Sequence, residues 1–141
     1  MRMARGIGGV LLALGVAVGA WAWVSMPSLA DATTSVAIDM RYSRFTPAEV
    51  IAPVGVPVTF VLRNEDPIDH EWMIGDDAFH EPHRSGTEPV HQERPTEVTV
   101  PAGETRTTTV TFTRPGVYRF VCHLPGHEAY GMVGVLRVVA P

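Results

Sequence analysis

The sequence contains no lysine, and its 141 residues include a single cysteine. All eleven basic residues are therefore arginines, and they do not form the basic stripe that nucleic-acid binding requires. A single cysteine cannot form a disulfide within the chain, so the fold depends on its apolar core. A chain of this length can bury such a core as one domain. These absences exclude a nucleic-acid partner and a small cross-linked scaffold.

The first 32 residues differ in composition from the rest of the chain. Arg2 and Arg5 precede an apolar run of 19 residues, Gly6 to Val24. The residues Ser28-Leu29-Ala30 are small enough for cleavage by a signal peptidase. The run is also close to the length of a membrane-spanning helix, so a retained anchor is an equal alternative.

We therefore expect a signal peptide or membrane anchor at 1–32 and a folded domain at 33–141. Either reading predicts export, to the periplasm or to the outer face of the cytoplasmic membrane, in secreted or anchored form. Without the segment, nine basic and fourteen acidic residues remain, a net charge of −5. A partner with a basic surface could be steered to such a domain, which we expect to be monomeric.

Residues 33–141 have the pattern of short strands and frequent turns that is typical of an all-β domain. Short apolar or alternating segments are divided by proline and glycine, and this pattern favours a two-sheet β-sandwich. The predicted strands are Ser35 to Met40, Val56 to Leu62, Glu97 to Val100, Thr105 to Thr113, Val117 to Cys122 and Val133 to Val139. No helical period is visible outside the N-terminal segment.

Near the C-terminus, Cys122-His-Leu-Pro-Gly-His127-Glu-Ala-Tyr-Gly-Met132 places a thiol, an imidazole and a thioether at five-residue steps. Soft sulfur ligands select copper over hard cations, and one Cys, two His and a weak Met are the ligands of an electron-transfer copper site. The loop supplies one of the two histidines. His70 is the candidate for the second, since we expect it at the end of an earlier strand.

Each of these residues has a simpler explanation when it is taken alone. A lone Cys or Met is usually a core residue, and Cys122 with His123 or His127 as its base could be a nucleophile. Chance, however, would have to produce the whole spacing around Pro125-Gly126. No oxyanion-hole motif is legible either, and the nucleophile reading would leave Met132 without a role.

The ligand loop and the upstream histidine resemble the cupredoxins, the blue-copper family that includes plastocyanin, azurin and single-domain proteins of bacterial envelopes. The resemblance covers about residues 34 to 140. It implies a Greek-key β-sandwich with one copper ion, Cu(I) or Cu(II), at one end. It also implies three ligands in a plane, His70, Cys122 and His127, with Met132 as the distant fourth.

The resemblance favours a one-electron carrier, with a copper carrier or buffer of the cell envelope as the alternative. Its partners would be redox proteins, or proteins that donate or accept copper. An enzyme would need an exchangeable ligand position, so we expect none. Asn64 and Asp69 are candidates to orient His70 or pin the ligand loops. In the family, the loop histidine lies near the surface in an apolar patch, here formed from Leu124, Pro125 and Tyr130.

Residues 75–95 interrupt the strand pattern with a polar excursion that contains His80, His83 and His91. A loop this long is either functional or mobile. We expect a solvated loop whose histidines do not take part, with a second, weaker metal site as the alternative. His123, which follows the cysteine, is expected to be a polar loop residue.

Overall fold

The computed structural model describes residues 34–87 and 94–140, which form two β-sheets and one helix. The strands are β1 (Thr34–Met40), β2 (Phe45–Thr46), β3 (Glu49–Pro53), β4 (Pro57–Asn64), β5 (His70–Gly75), β6 (Glu97–Val100), β7 (Thr105–Thr111), β8 (Gly116–Val121) and β9 (Val133–Val139), with helix α1 (Asp77–Ser85) after β5. The predicted signal or anchor segment and His91 lie outside the described residues. Within the described ranges, no helix is long and apolar enough to span a membrane.

The two sheets pack face to face as the predicted sandwich. One sheet has the strand order β2-β1-β4-β7 and the other β3-β9-β8-β5-β6. Strands β1 and β4 are parallel, as are β3 and β9, and the other pairs are antiparallel. The predicted all-β, Greek-key architecture is confirmed, and its six predicted strands are present with ends shifted by at most two residues.

The core lies between the sheets and is rich in aromatic rings. Strand β4 alternates buried and less buried residues, as a strand with one core face does. The ring of Trp72 lies 4.7 Å from that of Phe60 and 6.4 Å from that of Phe120, and Phe120 meets Phe45 edge to face at 5.2 Å. All four side chains are almost fully buried. This aromatic cluster joins the two sheets below one end of β5 and β8.

Two predictions about residues 70–87 are wrong. His70 begins strand β5 instead of ending an earlier strand, since β4 stops at Asn64. The polar segment, expected to be a loop, contains the nine-residue helix α1. Its only apolar residues besides Pro82 are Ala78 and Phe79, so it lacks the apolar stripe by which a helix is recognised in sequence.

Local hydrogen bonds define this helix where apolar periodicity does not. The Asp76 side chain accepts from the N–H of Phe79 at 2.9 Å and caps the first turn. Gly86 ends the helix with φ 64° and donates to the carbonyls of the last turn. Phe79 packs against Gly75, where a Cβ would collide with its ring. The helix is therefore fixed against strand β5.

A substitution at Gly134 can test how tightly the sandwich packs near the ligand loop. It lies opposite Phe120 in the β8–β9 register, and a Cβ at this position would overlap the ring. We expect Gly134→Ala to lower the free energy of unfolding by about 1–3 kcal/mol, as overpacking does, in urea denaturation. In a Phe120→Leu background the same change should cost less, because the ring is gone. Equal costs in both backgrounds would contradict this packing.

Candidate metal centre

Three of the predicted ligands converge at one end of the sandwich. His70 begins β5, Cys122 directly follows β8, and His127 lies in the loop before β9. One ligand atom from each lies within 4.8 Å of the other two. The Sγ of Cys122 is 3.2 Å from Nδ1 of His127. In the part of the chain that the structure describes, no other three His, Cys, Asp or Glu side chains come so close.

Backbone hydrogen bonds close the ligand loop and place Met132, the fourth candidate ligand, beside Cys122 and His127. The N–H of Met132 donates to the carbonyl of His127 at 2.9 Å, and the N–H of Cys122 donates to that of Met132 at 3.2 Å. Gly126 and Gly131 adopt φ of 83° and 92°, which favours glycine. The Met132 side chain is fully buried. The loop is thus folded by its own backbone.

His70 presents one bonded and one unbonded nitrogen. Its Nε2–H donates to Oδ2 of Asp66 at 2.8 Å, so the neutral ring carries its lone pair on Nδ1. That Nδ1 is buried and has no hydrogen-bond partner among the described residues. Buried polar atoms are rarely left in this state. A lone pair facing a thiol and a second imidazole fits a soft metal ion such as copper.

Asp66 is built into the fold as an anion. Its carboxylate accepts from the N–H of Tyr42 at 2.7 Å and from that of Ser43 at 2.8 Å, two consecutive residues with φ near 50°. Burial alone would raise the pKa of Asp66, but the hydrogen bonds from Ser43, His70 and Tyr42 outweigh it and lower that pKa. A negative charge is therefore fixed on the outer side of the His70 ring.

The two residues predicted to support His70 act on loops instead of on its ring. The side-chain amide of Asn64 donates to the carbonyls of Ile68, Val100 and Pro101, and Asp69 accepts from the N–H of Ala102. These contacts pin the segment that leads into β5. The residue that orients the ring is Asp66, which the sequence interpretation missed. Its signal was its position four residues before His70, within a turn-rich acidic segment.

The protonation states of the other two ligands follow from their burial. Burial raises the pKa of the Cys122 thiol, although backbone N–H groups of Glu71 and Leu124 oppose the shift. Burial and the neighbouring His70 lower the pKa of His127. At pH 7 the Cys122 thiol and the His127 imidazole are therefore both neutral. A metal that binds the thiolate has to displace the thiol proton.

The centre is covered on the core side and partly open on the other. Trp72 is fully buried beneath it, while His127 retains some exposure. Of the predicted apolar patch, Pro125 is exposed, Tyr130 is 72% exposed, and Leu124 is partly buried against the core. The loop histidine therefore reaches the surface beside apolar side chains.

Helix α1 contacts the ligand loop through side chains that the sequence analysis placed in solvent. His80 is fully buried, and its Nδ1 lies 2.9 Å from Nε2 of His123. Arg84 forms a two-pronged ion pair with Glu128. The expectation of a solvated loop is thus wrong for His80. His123 lies in the loop after β8, where its side chain is only 5% exposed. Burial lowers the pKa of His123 to about 4, so it is neutral at pH 7.

Comparison with known proteins identifies the family of this chain. The model of the family described as Cupredoxin-like domain matches residues 14–135, and the chain belongs to this family. It is 28% identical to the copper-resistant cuproprotein CopI of Pseudomonas aeruginosa, over 91% of this chain and 93% of that protein. A protein of the same name from Rubrivivax gelatinosus is 36% identical over 67% of this chain and 59% of its own length.

Solved structures show the same fold. Dithionite-reduced auracyanin from Roseiflexus castenholzii superposes with a TM-score of 0.64 and 25% identity, over 75% of this chain and 97% of that one. The family and the convergent ligand atoms together make this protein a copper-binding cupredoxin whose cofactor is one copper ion.

Asp66 should set the balance between the two oxidation states of copper. Asp66→Asn removes the charge behind His70 but keeps the side-chain shape, so the ring becomes a weaker donor and Cu(II) loses more affinity than Cu(I). Mutation of a hydrogen-bond partner of a metal ligand typically lowers metal affinity by about 10–100-fold. We therefore expect the reduction potential, measured by redox titration, to rise by about 60–120 mV, at ~59 mV per tenfold.

Asp69→Asn is the matched control for this substitution. It makes the same change of charge three residues away, but Asp69 contacts the N–H of Ala102 and not the His70 ring. The potential should move far less in this variant. Equal shifts in the two variants would mean that the net charge, and not the bond to His70, sets the potential.

Proposed function

We propose that this protein is a one-electron carrier whose copper ion is bound by His70, Cys122 and His127, with Met132 as a weak fourth ligand. The observation that carries the proposal is the convergence of three candidate ligand atoms within 4.8 Å of one another. A copper ion in such a set of ligands supplies a reversible change between Cu(I) and Cu(II). Because packed strands hold these residues, little rearrangement accompanies that change.

The contacts around the ligands support this rigidity. The His70 ring is fixed by Asp66, and Cys122 Sγ accepts from the N–H of Glu71 at 3.4 Å. Met132 and His127 are joined through their backbones. Sites supported by packed elements and outer hydrogen bonds keep their geometry best. No ligand position among these residues is left for a substrate, so we infer a carrier and not an enzyme.

The electron would enter and leave through His127. Its ring is the ligand that reaches the surface, and Pro125 and Tyr130 are exposed beside it. Apolar side chains around a partly exposed ligand suit brief contact with a redox protein, because such a surface is easily desolvated. The excess of acidic residues favours a partner with a basic surface.

We further propose that the domain functions outside the cytoplasm, after export through the segment at 1–32. The family match begins within that segment, at residue 14, while the first described strand begins at Thr34. A lone thiol is open to oxidation in an exporting compartment unless it is protected. Here Cys122 is buried and lies among metal ligands.

The Cu(II)-loaded protein should absorb strongly in the visible region through thiolate-to-copper charge transfer. The close approach of Cys122 to His127 and His70 motivates this expectation. Cys122→Ser should abolish the band and weaken copper binding, because an alkoxide ligand is not available at neutral pH. Visible absorption with metal analysis tests it. A colourless Cu(II) protein, or a band that survives in Cys122→Ser, would refute the site.

Met132→Leu should keep copper and its colour but shift the reduction potential, since an axial thioether is a weak ligand that tunes the potential. Met40→Leu is the matched control, a fully buried methionine of the core outside the ligand loop. It should leave the potential unchanged. Loss of copper in Met132→Leu, or the same shift in both variants, would contradict the assigned role of Met132.

Copper handling is the second candidate function. It is favoured by the relatives named as copper-resistant cuproproteins, since that name links copper binding to resistance to the ion. The two functions differ in whether an electron or the copper ion itself leaves the protein. Fast electron exchange with copper retained supports the carrier, and transfer of the ion to an acceptor apoprotein supports copper handling.

A further inference from the structure

Three histidines form a cluster where helix α1 meets the ligand loop. The rings of His80 and His123 lie 5.1 Å apart, with Nδ1 of His80 2.9 Å from Nε2 of His123. The ring of His83 stacks on that of His123 at 5.2 Å and 21°. None of the three belongs to the His70, Cys122 and His127 group. We call His80, His83 and His123 the histidine cluster.

Two members of the cluster are oriented by backbone carbonyls. Nε2 of His80 lies 3.0 Å from the carbonyl oxygen of Arg119, and Nδ1 of His83 lies 2.9 Å from that of Phe79. A carbonyl oxygen only accepts, so these nitrogens carry the protons and donate. In the neutral rings the lone pairs are then on Nδ1 of His80 and Nε2 of His83. Metal-binding histidines have this arrangement, with the outer N–H bonded to a carbonyl or carboxylate.

His123 lies between two acceptors that it cannot both satisfy. Its Nε2 faces the lone pair of His80 Nδ1, and its Nδ1 is 3.5 Å from Oε2 of Glu128. A neutral imidazole has one N–H. If that proton is on Nε2, the lone pair of Nδ1 faces a carboxylate, and if it is on Nδ1, two lone pairs meet at 2.9 Å. The contact between His80 and His123 is a single N–H···N hydrogen bond, and neither tautomer of His123 satisfies both acceptors.

We propose that the histidine cluster binds a second copper ion, through Nδ1 of His80 and Nε2 of His123. The ion takes the place of the proton between the two rings, and Nδ1–H of His123 then donates to Glu128. Two nitrogens bound at about 2.0–2.1 Å to one ion at a right angle lie about 2.9 Å apart, which matches the distance between these atoms. Copper(II) is the first-row divalent ion that binds imidazole most strongly.

His83 and a surface cavity complete the proposed site. The three cluster nitrogens do not all lie within 4.8 Å of one another, so His83 becomes a third ligand only after its ring rotates toward the ion. A cavity of about 440 Å³, lined in part by His83, His123 and Glu128, opens beside the cluster. It gives the ion a path from solvent, which a metal site needs. The proposal holds whichever function the first centre has.

The test is the copper stoichiometry of the untagged full chain. The protein is titrated with Cu(II), dialysed against a weak chelator and analysed for copper, visible absorption and electron paramagnetic resonance. We expect two copper ions per chain. The first gives the thiolate band, and the second adds a separate resonance signal without adding to that band. A chain that saturates at one copper overturns the proposal.

His80→Gln and His123→Gln identify the ligands, since glutamine can still hydrogen-bond but is not an imidazole. Each should weaken the second copper by more than about 100-fold, because loss of an outer partner alone costs 10–100-fold. The thiolate band and the melting temperature report whether the first centre and the fold persist in each variant. A second copper that survives both substitutions lies elsewhere on the chain and refutes the assignment.

Arg84→Gln is the control for a merely structural role. Arg84 joins the same helix to the same loop through Glu128, but it supplies no imidazole. This variant should keep two copper ions with the second affinity changed by less than about tenfold, the lower end of the cost of an outer partner. If Arg84→Gln loses the second ion as completely as His80→Gln does, docking of the helix and not ligation explains the effect, and the proposal fails.

Discussion

The pairing of β5 with β8 is the contact on which the metal centre depends. These antiparallel strands place Met73 opposite Val121, so the start of β5 and the residue after β8 meet at one end of the sheet. The N–H of Glu71 then donates to Cys122 Sγ at 3.4 Å. Because the aromatic core lies beneath both strands, neither ligand can shift without disturbing Trp72 or Phe120. The fold thus brings His70 and Cys122 together at one end of the sheet.

Charge is distributed around this end of the sandwich in two separate networks. Asp66 places a fixed carboxylate behind His70, where it raises the basicity of a proposed ligand. Glu128 lies on the opposite side of the loop, between Arg84 and His123, next to the residue that follows Cys122. Both networks connect an element outside the ligand loop to a ring near the metal. Each side of the centre is thereby tied to the surrounding structure, by the turn at Tyr42 and Ser43 in one case and by helix α1 in the other.

The ligand loop could be predicted from sequence because its chemistry is local. Cys122, His127 and Met132 lie on one short segment, and their spacing around Pro125-Gly126 carries the signal. Six of the nine described strands were predictable for the same reason, since alternation and turn residues are local patterns, whereas β2, β3 and β5 were not predicted. The confirmed family and the convergence of His70 with this loop support that interpretation.

Contacts between distant segments could not be predicted in this way. Helix α1 depends on its caps and on Phe79 packing against Gly75, and its sequence has no apolar stripe. His80 and His123 are 43 residues apart, so nothing in the sequence indicates that their rings meet. Asp66 is closer to His70, but whether an acidic residue in a turn faces solvent or a ring depends on where Tyr42 and Ser43 lie.

The central claim is that the chain holds its copper ligands in place by itself. Crystal structures of the metal-free, Cu(I) and Cu(II) forms test it most directly. The account predicts one ion between His70 Nδ1, Cys122 Sγ and His127, with Met132 beside it and Asp66 bonded to His70 in all three forms. Copper bound by other residues, or a ligand loop that refolds between the metal-free and copper-loaded forms, would contradict it.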